Sequence, residues 1–310
     1  MKKLLLILLC LPFIGFGQNV NIPDANFKAY LVGNSAINTN GDSEIQVSEA
    51  NLFNDTIECY GMNISDLTGI EAFTDLTYLA CDLNQLTNLD VSQNTALTYF
   101  SCGYNQLTSL DVSQNTILEV LECWNNQLTS LDVNQNTILT SLTCHNNQLT
   151  SLDVSQNTVL TWLLCMNNQL ITLNLNNNSA LNFLACDSNQ LTSIDLSQNT
   201  VLIDFSCQNN QLTTLDISNN TALFWFSPKY NPSLTCIQVD DAAWSTANWT
   251  DIDPQHYFNT NCNATNINEQ TTNKELLKVI DLLGRETKQK NQSLFYIYDD
   301  GTVEKRIVIE

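Results

Sequence analysis

Cys81, Cys102, Cys123, Cys144, Cys165, Cys186 and Cys207 stand 21 residues apart each time, and Pro228 takes the next slot. A unit this short cannot bury a core alone. It covers its apolar side only against its neighbours, which is the condition for a solenoid. The phrase NQLTSLDVSQNT at 105–116 returns almost letter for letter from Asn126, Asn147, Asn189 and Asn210. In each unit apolar residues alternate with variable polar ones, the period of a half-buried strand. Leu131 and Val133 straddle Asp132 in the same manner. Two short extended segments per unit leave no room for a helix of ordinary length, so a thin, β-rich coil is expected.

One unit reads Leu118-x-x-Leu121-x-Cys123-x-x-Asn126-x-Leu128-x-x-Leu131-Asp132-Val133-x-x-Asn136-Thr137. This resembles the leucine-rich repeat, LxxLxLxxNxL, with Cys in the third apolar slot, over residues 57–231. The resemblance implies a β-rich α+β fold: a solenoid of about eight 21-residue coils. Its concave side is a curved parallel sheet of LxxLxC segments, and its convex side consists of TSLDVS segments. The turn asparagines Asn84, Asn105, Asn126, Asn147, Asn168, Asn189, Asn210 and Asn231 read as a stacked ladder that pairs buried backbone groups. The cysteine column reads as buried thiols acting as small apolar fillers. In-register neighbours on parallel strands lie about 4.8 Å apart, whereas a disulfide wants Cβ atoms about 3.8 Å apart. Metal binding by the column is the alternative.

The ends carry other chemistry. A basic start, an apolar run over 4–14 and Gly15-Phe16-Gly17 read as a signal peptide, residues 1–17. That run is too short to span a bilayer, which takes about 20 apolar residues. Residues 18–56 read as a helical cap, with Phe27, Tyr30 and Leu31 at helical spacing after Asp24. Within the cap, residues 38–49 resemble the twelve-residue EF-hand loop. By that resemblance Asn38, Asn40, Asp42, Glu49 and the Glu44 carbonyl would hold calcium; a plain polar turn is the alternative, and no other cofactor is expected. Cys236 and Cys262 lie outside the repeat register and bracket a C-terminal cap, residues 232–262. A disulfide between them would stabilise it by about 3 kcal/mol in the chain-entropy model. Trp244 and Trp249 are expected to pack over the last coil.

A polar linker at 263–273 precedes residues 274–310, a small β domain where Lys and Arg reappear. Ile280-Asp281-Leu282-Leu283-Gly284-Arg285, the alternating LFYIYDDG and Lys305-Arg306-Ile307-Val308-Ile309 resemble the type A C-terminal sorting domain of the type IX secretion system. The resemblance implies export through that machinery to the surface or medium of a Bacteroidetes-type bacterium.

The formal net charge is -21, and neither Lys nor Arg occurs at positions 29–228. Nucleic acid is excluded as a partner of the repeats, because phosphate binding relies on those cations. Catalysis is not expected, since the body holds one histidine, His145, and no cationic electrophile. Aspartates 90, 111, 132, 153, 195 and 216 form an outward column that needs partial protonation, hydrogen bonds or cations to relieve repulsion. The remaining freedom lies at the third, fifth, seventh and eighth positions of LxxLxCxx, which face outward and do not repeat. There Tyr78, Tyr99, Tyr104, Trp124, His145, Trp162, Phe183 and Trp225 make a candidate ligand-binding stripe on the concave face. The expected function is a non-catalytic protein-binding or adhesion module whose ligand is a protein on another cell or in the matrix. A glycan-binding module and a structural surface or biofilm component are the alternatives.

Overall fold

The structure, a computed structural model, describes residues 18–262, 276–280, 285–287, 293–298 and 303–307. The signal segment at 1–17 and the linker at 263–273 lie outside the described residues. The chain divides into two compact units, Met1–Cys262 and Asn263–Glu310.

The first unit is the leucine-rich-repeat solenoid. Nine three-residue strands stack into one parallel sheet: β1 (Thr56–Glu58), β2 (Tyr78–Ala80), β3 (Tyr99–Ser101), β4 (Val120–Glu122), β5 (Ser141–Thr143), β6 (Trp162–Leu164), β7 (Phe183–Ala185), β8 (Asp204–Ser206) and β10 (Trp225–Ser227). The pairing steps by one repeat each time, as in Tyr78↔Tyr99 and Tyr99↔Val120. The first step, Thr56↔Tyr78, spans 22 residues instead. That extra residue takes Cys59 out of the 21-residue count, yet it is buried like the others, so eight free buried thiols are present among the described residues. With the closing turns the solenoid runs to about ten coils, two more than the repeat pattern covers. The central residue of each strand, Leu79, Phe100, Leu121 and their successors, is buried. Each such side chain contributes roughly 2 kcal/mol of apolar burial.

Side-chain amides hold the corners. Asn126 donates through Nδ2 to the Cys102 and Cys123 carbonyls (3.0 and 3.2 Å) and accepts from Leu107 N–H through Oδ1 (3.0 Å). The same contacts recur along the ladder read from the sequence. A second column, Asn94, Asn115, Asn136, Asn157, Asn178, Asn199 and Asn220, turns the chain back toward the sheet. Asn136, for example, donates to the Val112 and Asn115 carbonyls (3.0 and 2.8 Å). Those amides take over coil-to-coil bonding on the convex side. The TSLDVS segments therefore form almost no strand there, contrary to the two-strand reading. The exception is β9 (Leu215–Asp216), which pairs with β11 (Cys236–Gln238), itself paired with β12 (Tyr257–Asn259).

Both ends are covered. Helix α1 (Ala25–Gly33) is capped by Asp24, which accepts from Asn26 and Phe27 N–H and also from Ser65, fastening the helix to the first coils. Phe27 and Leu31 lie fully buried. A second, one-turn helix, α2 (Val47–Ala50), follows the EF-hand-like loop. At the other end helix α3 (Ala242–Asn248) occupies the stretch 21 residues beyond β10, where a tenth sheet strand would fall. The Cys236–Cys262 disulfide is present, with Cα atoms 5.7 Å apart. Trp249 packs on Phe226 and Phe258 and donates to the Phe224 carbonyl. Trp244 instead meets the edge of Trp249 and stays 45% exposed, so only one of the two tryptophans closes the coil.

In the second unit β13 (Leu276–Ile280), β14 (Ser293–Tyr298) and β15 (Val303–Ile307) form an antiparallel sheet in that order. The alternating residues in this segment already pointed to strands. No helix among the described residues is long and apolar enough to cross a membrane.

Candidate binding face

The strands carry three outward rows. In the first, Tyr78, Tyr99, Val120, Ser141, Trp162, Phe183, Asp204 and Trp225 are in-register neighbours. Tyr78 and Tyr99 stack at 4.1 Å, 2° from parallel, and Trp162 and Phe183 stack at 3.8 Å and 13°. The second row, two residues on, is mostly small, buried side chains such as Ser101, Thr143, Ala185 and Ser206, with Glu122 and Leu164 part-exposed among them. Sequence alternation assigned these residues to the surface, but the small ones are buried, and Ser101 and Ser206 give their hydroxyls to Asp82 and Asp187.

The third row holds Trp124 and His145, stacked at 5.6 Å, with Tyr104 edge-on to Trp124 at 5.5 Å. Gly103 makes room for the indole: a Cβ there would fall 2.5 Å from Trp124 Cε2. The candidate residues thus gather into three groups, Tyr78–Tyr99, Tyr104–Trp124–His145 and Trp162–Phe183. Trp225 lies apart, 46% exposed.

The residue closing each strand turn adopts a left-handed backbone conformation, from Asn63 (φ 56°) through Tyr104 (φ 54°) to Tyr230 (φ 59°). Asn suits this region, and it stands there at Asn63, Asn125, Asn146, Asn167 and Asn209. Leu83, Tyr104 and Tyr230 adopt it with bulky side chains, holding strain of about 1 kcal/mol each on the rim of the candidate face.

Carboxylates complete the face. Asp82 accepts from the Ser101 hydroxyl and from Gly103 N–H (2.7 Å), and burial raises its pKa. Asp187 is satisfied the same way by the Ser206 hydroxyl and Gln208 N–H. Burial, and then the Asp187 charge, raise the pKa of Asp204, whose buried Oδ1 meets no donor of the described chain. Burial lowers the pKa of His145, and its Nδ1 is likewise unpartnered. The Tyr99 hydroxyl is pushed upward by burial and by Glu122.

The aspartate column is relieved by hydrogen bonds, the second of the three ways open to it. Asp111 accepts from Ser113 N–H (2.9 Å), and such bonds lower the pKa values of Asp90, Asp111, Asp153 and Asp195, so protonation is not the remedy. Burial pushes the ladder thiols up, Cys59 and Cys123 to about 12, which favours the protonated thiol. In the EF-hand-like loop Glu49 accepts from Thr39, Asn40 and Gln46 N–H. Asn38 turns its amide nitrogen to the Val32 and Asp42 carbonyls. A cation there would have to displace the donors on Glu49. Among the described residues no group of three or more His, Cys, Asp or Glu is placed to hold a metal ion.

Repeat register, ladders and face define a leucine-rich-repeat solenoid with a cysteine ladder. No protein-family profile matches the chain. A 74-residue stretch, 24% of the chain, is 39% identical to Internalin J of Listeria monocytogenes and spans 8% of that protein. Among solved structures, internalin C2 of Listeria monocytogenes aligns over 67% of this chain and 96% of that one, at 21% identity and a TM-score of 0.62, a likeness of fold. The functional domain of InlJ from Listeria monocytogenes, which includes a cysteine ladder, covers 72% of this chain and 66% of that one at 29% identity, with a TM-score of 0.40. The chain is similar in sequence to Internalin J over those 74 residues and spans only a small part of that protein's length.

Proposed function

We propose that the solenoid is a non-catalytic binding or adhesion module that holds a protein ligand on its concave face. One observation carries this reading: the corner, core and convex positions repeat almost unchanged, while the outward positions of the sheet vary and collect the exposed rings and rim strain. Aromatic residues are enriched among the residues that dominate binding energy. A protein is favoured over a glycan because the tight stacks of Tyr78 on Tyr99 and of Trp162 on Phe183 each cover ring faces that a sugar would lie on. Surface location and export by the type IX machinery through residues 274–310 belong to the same proposal. The motifs quoted above and the antiparallel sheet β13–β15 support it. Calcium at Asn38, Asn40, Asp42, Glu44 and Glu49 is a smaller proposal, supported by the spacing of the loop.

Three experiments test these readings. Photo-crosslinking from Ser141, the in-register neighbour of Trp162, on intact cells should trap a protein, and a glycan array should stay blank; the reverse result would favour the glycan module. Deleting residues 276–310 should retain the protein inside the cell, and normal export of the deletion would remove the sorting assignment. A melting temperature that rises in millimolar calcium, and no longer does so in Glu49→Gln, is expected if the loop binds the ion.

A further inference from the structure

Three carboxylates on the concave sheet are at least partly withdrawn from water. Asp82 and Asp187 each find a serine hydroxyl and a backbone N–H one coil on. Asp204 does not: its Oδ1 is buried, accepts nothing from the described chain and feels the charge of Asp187. A buried acceptor left unmatched is destabilising, and no Lys or Arg occurs at positions 29–228 to match it. The first cation beyond them, Lys229, is paired with Asp251. In the sheet register Asp204 stands between Phe183 and Trp225. Phe183 is held by its stack on Trp162, whereas Trp225 has no ring neighbour among the described residues. A carboxylate flanked by two aromatic rings is complementary to an organic cation, which gains both the ion pair and attraction to the ring faces. Two carboxylates without a third acidic or imidazole ligand are a poor set for a metal ion.

We propose that Asp204, with Phe183 and Trp225 on either side, receives a lysine or arginine side chain of the bound protein. This rests on the reading of the concave face as a protein-binding surface and adds the chemistry of one contact. Charge complementarity supports it: the face is acidic, and Lys229 at its end is already paired with Asp251, so a basic segment fits it.

The test uses the full chain and tetralysine amide as the probe, titrated at about 150 mM salt so that long-range attraction is screened. The Trp225 indole N–H resonance reports binding. Saturable binding is expected from the wild type, with Kd raised about tenfold in Asp204→Asn and unchanged in Asp216→Asn, whose carboxylate belongs to the outward convex column. Asp204→Asn should also melt no lower than the wild type, because it removes an unmatched charge. No saturable binding, equal Kd values for wild type and Asp204→Asn, or equal weakening by Asp216→Asn overturns the proposal. Because the probe is not the natural partner, failure here leaves the ring-based reading standing. Failure of the ring variants to alter partner binding leaves the tetralysine result intact.

Discussion

The corners and the concave face of the solenoid obey opposite rules. At the corners one residue type repeats for eight coils, and Asn126 uses both its amide and its oxygen on buried backbone groups. On the face, the outward positions differ from coil to coil, and several are poorly satisfied: Asp204 and His145 have unpartnered atoms, and Tyr104 sits in a strained backbone region. Stability is therefore concentrated in the repeating slots, and the varying slots sacrifice some of it, as expected where a surface is kept for recognition.

The comparison breaks most visibly if a corner residue proves dispensable. Asn126→Ala strands the Leu107 N–H and removes one of the two amide donors on each of the Cys102 and Cys123 carbonyls, which keep Asn105 and Asn147; a loss of about 2 kcal/mol is expected in urea unfolding, with little change in binding by the folded fraction. A loss below about 1 kcal/mol would show that water or local rearrangement replaces the ladder.

A smaller effect with the opposite sign is expected on the face. Tyr104→Asn should stabilise the chain by about 1 kcal/mol through relief of the left-handed backbone, less the edge contact with Trp124, while weakening ligand binding. Equal or lower stability would mean that the Tyr104–Trp124 contact outweighs the strain.

The smallest effects appear as a function of pH. Asp90, Asp111, Asp153 and Asp195 have lowered folded pKa values, so their stabilisation is present above the ordinary carboxylate range and is lost as pH falls through the folded values. Asp82 and Asp204 are raised, so they penalise the folded state at neutral pH and the penalty is relieved as pH falls through their folded values. Asp111→Asn should flatten the acid decline of the melting temperature. Asp204→Asn should raise the melting temperature near pH 7 and converge with the wild type near about pH 3. Parallel curves for the two variants would erase the distinction between satisfied and unsatisfied aspartates.

Much of the architecture was legible because it follows from spacing. The 21-residue period fixed the parallel register, the Asn126-type ladder and the buried Cys column, and the two cysteines outside the register form the disulfide. Cys59 escaped through a single inserted residue, and the second ladder through Asn136 was visible as a repeated letter with no assigned task. Its role depends on the path of the corner, which spacing does not give. The candidate face was legible as a set of outward rings, but the stacking of Trp162 on Phe183 and the seating of Trp124 over Gly103 depend on rotamers set by neighbouring strands. Gly103 was the available signal, a small residue next to the ladder position that precedes a large ring. Asp204 carried no signal of its own, because an acid on an acidic chain stands out only when its missing donor can be seen.

The central claim is that the concave rings bind and do not merely brace the sheet. Trp124→Ala combined with Trp162→Ala separates the two, measured as partner affinity per folded molecule beside urea unfolding. Binding should fall by about 2 kcal/mol or more, and stability by only about 1 kcal/mol, the worth of the lost ring contacts. A double variant that unfolds much more readily yet binds its partner as tightly as the wild type once folded would contradict the account.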